Sequence, residues 1–363
     1  MQVYAADRVF TGTGWLNDHA VLVDDGWIKD IVPLDELPGD QHSIFHSPIL
    51  APGFIDLQIY GAAGKLFSAY PEPDSLHKLY EQCLSGGTHL FLPTVATNTT
   101  TVFYQCIDAV RKYLDANGKG VAGLHLEGPW INPEKRGAHT REHIHPPEMN
   151  EVKTLIEYGK GIIKMITLAP EVCSQEVLEF LSSENIILSA GHSNATYQQG
   201  IDAFNAGIPA ATHLFNAMSA FHHREPGLPA AVMQHNRVMS SIIPDGYHVD
   251  FDVISIAKKV IKDRLFIITD AVTETTIGPY RHTFTDGRYL SGGVLSGSAL
   301  TMAQGVKNLV RFAGVEPDEA LRMASLFPAS LLGRSMEYGK IETGFRAAFA
   351  TLDVNLDIVD PSA

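Results

Sequence analysis

"ILSAGHSNATY" (residues 187–197) runs from apolar and small residues into Gly191 and then a histidine. Further on, "ATHLFNAM" (residues 211–218) ends a second apolar run on His213. Short, continuous apolar runs of this kind form strands buried on both faces, which is the signature of a parallel sheet. Between the two lies "TYQQGIDAFNAG" (residues 196–207), with helical periodicity and Gly207 placed to end the helix.

The same grammar extends in both directions. Apolar runs fall at Phe54–Gln58, His89–Thr94, Val121–Glu127, Ile162–Ala169, Ile186–His192, Pro209–Phe215, Val238–Pro244 and Leu265–Asp270. Helical stretches such as "SLHKLYEQCLSG" separate them. Eight strand–helix units in roughly 250 residues predict an α/β fold of the (β/α)8 barrel type rather than an open doubly wound sheet. No G-x-G-x-x-G follows any of the strands, which argues against a dinucleotide fold. Residues 1–50 read instead as strands and hairpins, with a turn at Asp25-Gly26. The tail from about 336 to 363 returns to alternating strand character. The expected organisation is a barrel over 51–335 and a small β-sandwich domain built from 1–50 and 336–363.

Composition narrows the function. Of 363 residues, 45% are hydrophobic and 19% charged, which suits a large core. With 27 basic and 41 acidic residues the net charge is 27 − 41 = −14, which disfavours nonspecific binding to nucleic acid or an anionic membrane. Cys83, Cys106 and Cys173 are scattered and odd in number, so a reducing compartment fits. No signal-peptide core and no apolar run of about 18 residues is evident, giving the expectation of a cytoplasmic protein.

The strand ends carry the chemistry. In a barrel the C-terminal ends of the strands converge on one mouth. Glu127, His192, His213 and Asp270 end strands three, five, six and eight and would meet there. Two histidines and a carboxylate are a full protein ligand set for a catalytic divalent ion, with one position left for water. Asp270 is then placed to take the water's proton and return it to a leaving group. Taken singly, each has a plainer reading: a hydrogen-bonded histidine, or a carboxylate capping a helix. Their joint placement favours the metal hydrolase.

The segments "APGFIDLQIYGAAG", "LHLEGPWINPEKRGAH", "SAGHSNATY", "ATHLFNAMSAFHHREPG", "PDGYHVD", "ITDAV" and "LSGSALTMAQGVKNLV" together resemble the N-acetylglucosamine-6-phosphate deacetylase family of the amidohydrolase superfamily. The resemblance implies hydrolysis of the acetamide of N-acetylglucosamine 6-phosphate. It places Glu127, His192 and His213 on the metal ligands and Asp270 on the catalytic aspartate. It places Ala138, His139, Asn216 and Ala217 on the sugar and acyl group, and Arg224 and His248 on the phosphate. Leu295, Ser296 and Gly297 fall on a loop that closes over the substrate. It implies one divalent metal per subunit, zinc before iron, manganese or cobalt. It also implies a homodimer in which Arg224 and His248 reach across the interface. A superfamily His-x-His pair at the end of strand one is replaced here by Gln58-Ile59-Tyr60, and members with that glutamine often have asparagine where this chain has Tyr60. The alternatives left open are an amidohydrolase for another N-acyl or cyclic amide, and a non-catalytic sugar-phosphate-binding barrel.

Overall fold

The computed structural model describes residues 1–37 and 44–360. Eight strands form one all-parallel sheet in chain order: Phe54–Ile59, Thr88–Ala96, Leu124–Glu127, Ile163–Leu168, Ile187–Ala190, Ala210–Ala211, Met239–Ile242 and Leu265–Ile267. The first and last strands meet as well. Tyr60 N donates to Ala271 O and Asp270 N to Gln58 O, each at 2.9 Å, and Ile59 bridges Ala271 in parallel. The sheet is therefore a barrel, as the eight runs predict.

Helices cover its outer face. Met302–Phe312 shows why: Met302, Ala303, Val306 and Leu309 recur three and four residues apart and are buried, so one apolar stripe faces the strands. The helix after strand five, Tyr197–Asn205, starts at the Thr196–Gln199 capping box, and Gly207 follows its end at φ 115°.

Two strands are shorter than their apolar runs. Strand three pairs from Leu124 rather than Val121, because Gly123 adopts φ 144° and interrupts the ladder, leaving Val121 as a lone bridge to Phe91. Strand six pairs only over Ala210–Ala211, because beyond it the chain turns inward to carry His213.

The termini jointly build the small β layer. Its five-stranded sheet runs in the order Phe349–Leu352, Ile44–Pro52, Gln2–Phe10, Trp15–Asp24, Trp27–Pro33. Asp25 and Gly26 take φ 51° and 74°, the left-handed pair of a tight hairpin turn. Ile341 and Phe345 pack over one face of this sheet with Val9, Val21, Ile28 and Leu50. The strand at Ile44–Pro52 leads directly into barrel strand one, so the β layer is anchored at the barrel's N-terminal side, away from the mouth.

No helix among the described residues is long and apolar enough to cross a membrane.

Candidate active site

Gly191 can only be glycine. A Cβ there would lie 2.7 Å from Thr167 Cγ2 and 2.9 Å from Thr212 Cβ. The close passage lets the next residue, His192, turn at φ 48° into the mouth. His213 (φ 36°) and Asp270 (φ 54°) leave their strands in the same left-handed way. Glu127 instead keeps its place at the end of strand three, and all four side chains are buried.

Three atoms converge. His213 Nε2 lies 3.1 Å from Glu127 Oε1, His192 Nε2 lies 3.3 Å from the same oxygen, and the two Nε2 atoms are 3.2 Å apart. A tetrahedral ion with bonds of about 2.0–2.1 Å separates its ligand atoms by roughly 3.3–3.4 Å, so this triangle has the size of one face of such a site. The outer nitrogen of His192 supports the fit. Its Nδ1 lies 2.8 Å from Lys135 O, a carbonyl that can only accept, so Nδ1 carries the proton and Nε2 presents a lone pair. Neighbouring lone pairs at this spacing require a cation or a proton between them.

His139 comes closer to the ligands than a sugar contact requires. Its Nε2 is 3.0 Å from Glu127 Oε2 and its Nδ1 2.7 Å from Thr97 Oγ1. Glu127, His139 and His192 form a second metal-competent grouping that shares two members with the first. Burial, then the charge of His192, pushes His139 down to about 4, so the ring is neutral. At Glu127 burial acts upward, but His192 and His139 outweigh it and hold the carboxyl well below its ordinary range. At Asp270 burial and then the charge of Glu127 push the carboxyl well upward.

Gln58 and Tyr60 join this network. Gln58 Nε2 is 2.8 Å from each of Tyr60 Oη, Glu127 Oε1 and Asp270 Oδ1. The Tyr60 hydroxyl donates to Glu127 Oε2. Both residues were expected only as a departure from a histidine pair. Their bonding to the ligand carboxylate depends on closure of strand one against strand eight, which sequence spacing does not reveal.

The triangle opens into a cavity of about 180 Å³. Ala138, His139, Asn216, Ala217, His248, Leu295, Ser296 and Gly297 all line it. Arg224 does not. It lies on the exposed 220–225 loop, where its backbone N–H reaches His222 Nδ1 at 3.3 Å. The connection after strand seven brings His248 into the lining of this chain's cavity, where Asp245 Oδ2 lies 2.6 Å from its Nδ1.

The roof was legible only in part. Residues 283–295 form a three-stranded antiparallel sheet, Thr283–Thr285, Arg288–Ser291 and Val294–Leu295. His282 enters the cavity wall from its start, with Nε2 3.0 Å from Ser296 Oγ. The signal for this hairpin was Asp286-Gly287, both at positive φ.

Imidazole and carboxylate donors gathered at barrel strand ends, beside a second buried carboxyl, define a metal-dependent hydrolase. The comparisons agree with that class. The description "Amidohydrolase family" matches residues 49–362 and "NagA composite domain" matches residues 5–44. The chain belongs to the amidohydrolase family. It is 33% identical to the N-acetylgalactosamine-6-phosphate deacetylase of Escherichia coli O157:H7, covering 98% of this chain and 96% of that one. It is 34% identical to the N-acetylglucosamine-6-phosphate deacetylase of Homo sapiens, covering 96% and 92%. The crystal structure of the N-acetylglucosamine-6-phosphate deacetylase from Pasteurella multocida superimposes with a TM-score of 0.93 at 33% identity, over 99% of this chain and 98% of that one.

Proposed function

We propose that this chain hydrolyses the acetamide of N-acetylglucosamine 6-phosphate to glucosamine 6-phosphate and acetate. The observation that carries the reading is the triangle of Glu127 Oε1, His192 Nε2 and His213 Nε2 beside Asp270. These three side chains hold one divalent ion, zinc in our reading; iron(II), manganese and cobalt suit the same donors. When bound, the ion supplies Lewis acidity and lowers the pKa of water toward neutrality.

The chain's own residues do the rest. Asp270 orients the attacking water and takes its proton as the water oxygen bonds to the acyl carbon. It then delivers that proton to the amide nitrogen as the C–N bond breaks, so the sugar leaves as an amine. A cation held by Glu127 would offset the negative charge there that raises Asp270, and so would favour the Asp270 carboxylate for this role. His139, buried and neutral, gives its one N–H to Glu127 Oε2 and lines the cavity beside the acyl group. Asn216 and Ala217 hold the sugar, and Leu295, Ser296 and Gly297 cover it and exclude water. His248 faces the phosphate from within the chain. Arg224 is supplied by a neighbouring copy in a homodimer, consistent with its exposed loop and its absence from the lining of its own cavity. We place the enzyme in the cytoplasm, as a step of amino-sugar breakdown.

The E. coli relative's name favours a second reading, the 4-epimeric N-acetylgalactosamine 6-phosphate. Acetate release is measured on both phosphosugars and on the unphosphorylated sugars, with and without added zinc. The proposal expects zinc-dependent release that is fastest on N-acetylglucosamine 6-phosphate. A faster galacto substrate installs the second reading, and metal-independent or absent release on all four defeats both.

A further inference from the structure

We infer that Tyr60 is a positioning residue that reserves one oxygen of Glu127 and so leaves the carboxylate a single oxygen to offer the ion. The inference rests on the reading that Glu127, His192 and His213 hold that ion.

The two oxygens of Glu127 have different surroundings. Oε1 receives one N–H from Gln58 Nε2 at 2.8 Å and keeps its other lone pair for the side where the imidazoles lie at 3.1 and 3.3 Å. Oε2 receives the Tyr60 hydroxyl and lies 3.0 Å from His139 Nε2. The direction of the Tyr60 proton is forced. Gln58 Nε2, which can only donate, points at Tyr60 Oη from 2.8 Å. The amide nitrogen cannot accept the phenol's proton and the Glu127 carboxylate can, so that proton goes to Glu127 Oε2. The ring has little freedom to do otherwise, being buried and packed with Leu66, Ala96, Val272 and Tyr280.

A carboxylate whose second oxygen is saturated by donors cannot close on an ion with both oxygens, nor offer one to a second cation. Tyr60 thus acts on the ion only through Glu127. It stands where a histidine pair would otherwise add ligands, and it converts that position from a donor of lone pairs to a donor of a proton. Outer partners of this kind typically change metal affinity by about 10- to 100-fold when removed.

The test is zinc binding rather than turnover. Metal-free protein is titrated with Zn2+ in competition with a chelator of known affinity. Tyr60→Phe deletes the hydroxyl and keeps the ring. It should weaken zinc binding by about 10- to 100-fold while the metal-free protein unfolds at nearly the wild-type temperature. In a Glu127→Gln background the same change should cost less than about twofold, because the bond it removes no longer orients a carboxylate. A Tyr60→Phe affinity within about twofold of wild type, or an equal penalty in both backgrounds, overturns the inference. His192→Ala separates the two levels of the argument. If it leaves zinc affinity unchanged, the ion site itself is misassigned. If it abolishes binding while Tyr60→Phe does not weaken it, only the role of Tyr60 falls.

Discussion

The floor and the rim of the cavity are built on different terms. On the floor, Gln58, Tyr60, Glu127, His139, His192, His213 and Asp270 are all buried, and they bond to one another. At the rim, Ser296 and His282 belong to an antiparallel hairpin and its approach, His248 to a connecting loop, and Arg224 to an exposed one. The floor is preorganised by strands that cannot move independently. The rim is held by short loops and local hydrogen bonds, and one part of it sits outside its own cavity. Under the proposed function, chemistry falls to the rigid end and substrate choice to the adjustable end.

Substitutions rank the two ends. The largest effect is expected on the floor: Asp270→Asn should lower kcat by about 100-fold or more, with zinc retained by elemental analysis. If turnover survives, proton transfer is not a property of the floor. Arg224→Ala comes next. Loss of one charge-assisted bond of about 1.5–3 kcal/mol lowers kcat/KM for the phosphosugar by roughly 10- to 100-fold, and leaves the unphosphorylated sugar unaffected. Heterodimers pairing Arg224→Ala with Asp270→Asn chains sharpen this. Contact across the interface leaves one intact site and about half the activity; contact within the chain leaves none. Ser296→Ala, at the neutral part of the rim, should raise KM by about three- to tenfold with little change in kcat.

The last effect is on stability and belongs to Asp56, beneath the floor. Burial pushes its carboxyl up to about 7, against hydrogen bonds from Thr269 and Gln58. Its folded pKa is above the ordinary value of about 4. Its stability contribution is therefore complete below about pH 4 and is lost as pH rises through about 7. Thermal unfolding from pH 4 to 8 should show the wild type losing ground to Asp56→Asn over that interval. Parallel curves would mean that Asp56 does not titrate there.

The floor was more legible than the rim, for a physical reason. Glu127, His192, His213 and Asp270 each end a run of buried residues, so strand pattern alone brings them to one mouth. Arg224 and His248 sit on loops, where spacing carries no direction, and only resemblance to a family singled them out. The Tyr60–Glu127 bond lay beyond both routes, because it joins strand one to strand three through side-chain reach. The shortening of strand six was hidden too. Its apolar run continues to Phe215, yet pairing stops at Ala211 because the backbone turns to deliver His213.

That turning has a consequence for how the protein can change. His192, His213 and Asp270 all sit at positive φ, as does Ala217 beside them. A side chain there costs roughly 1–2 kcal/mol relative to glycine. At each position the residue that relaxes the backbone is one that cannot hold an ion or move a proton. A library selected for thermal tolerance alone will drift toward glycine at these turns and lose the enzyme while improving the barrel. Heat resistance in this scaffold has to be sought in the helices and the β layer, with the three strand ends held fixed.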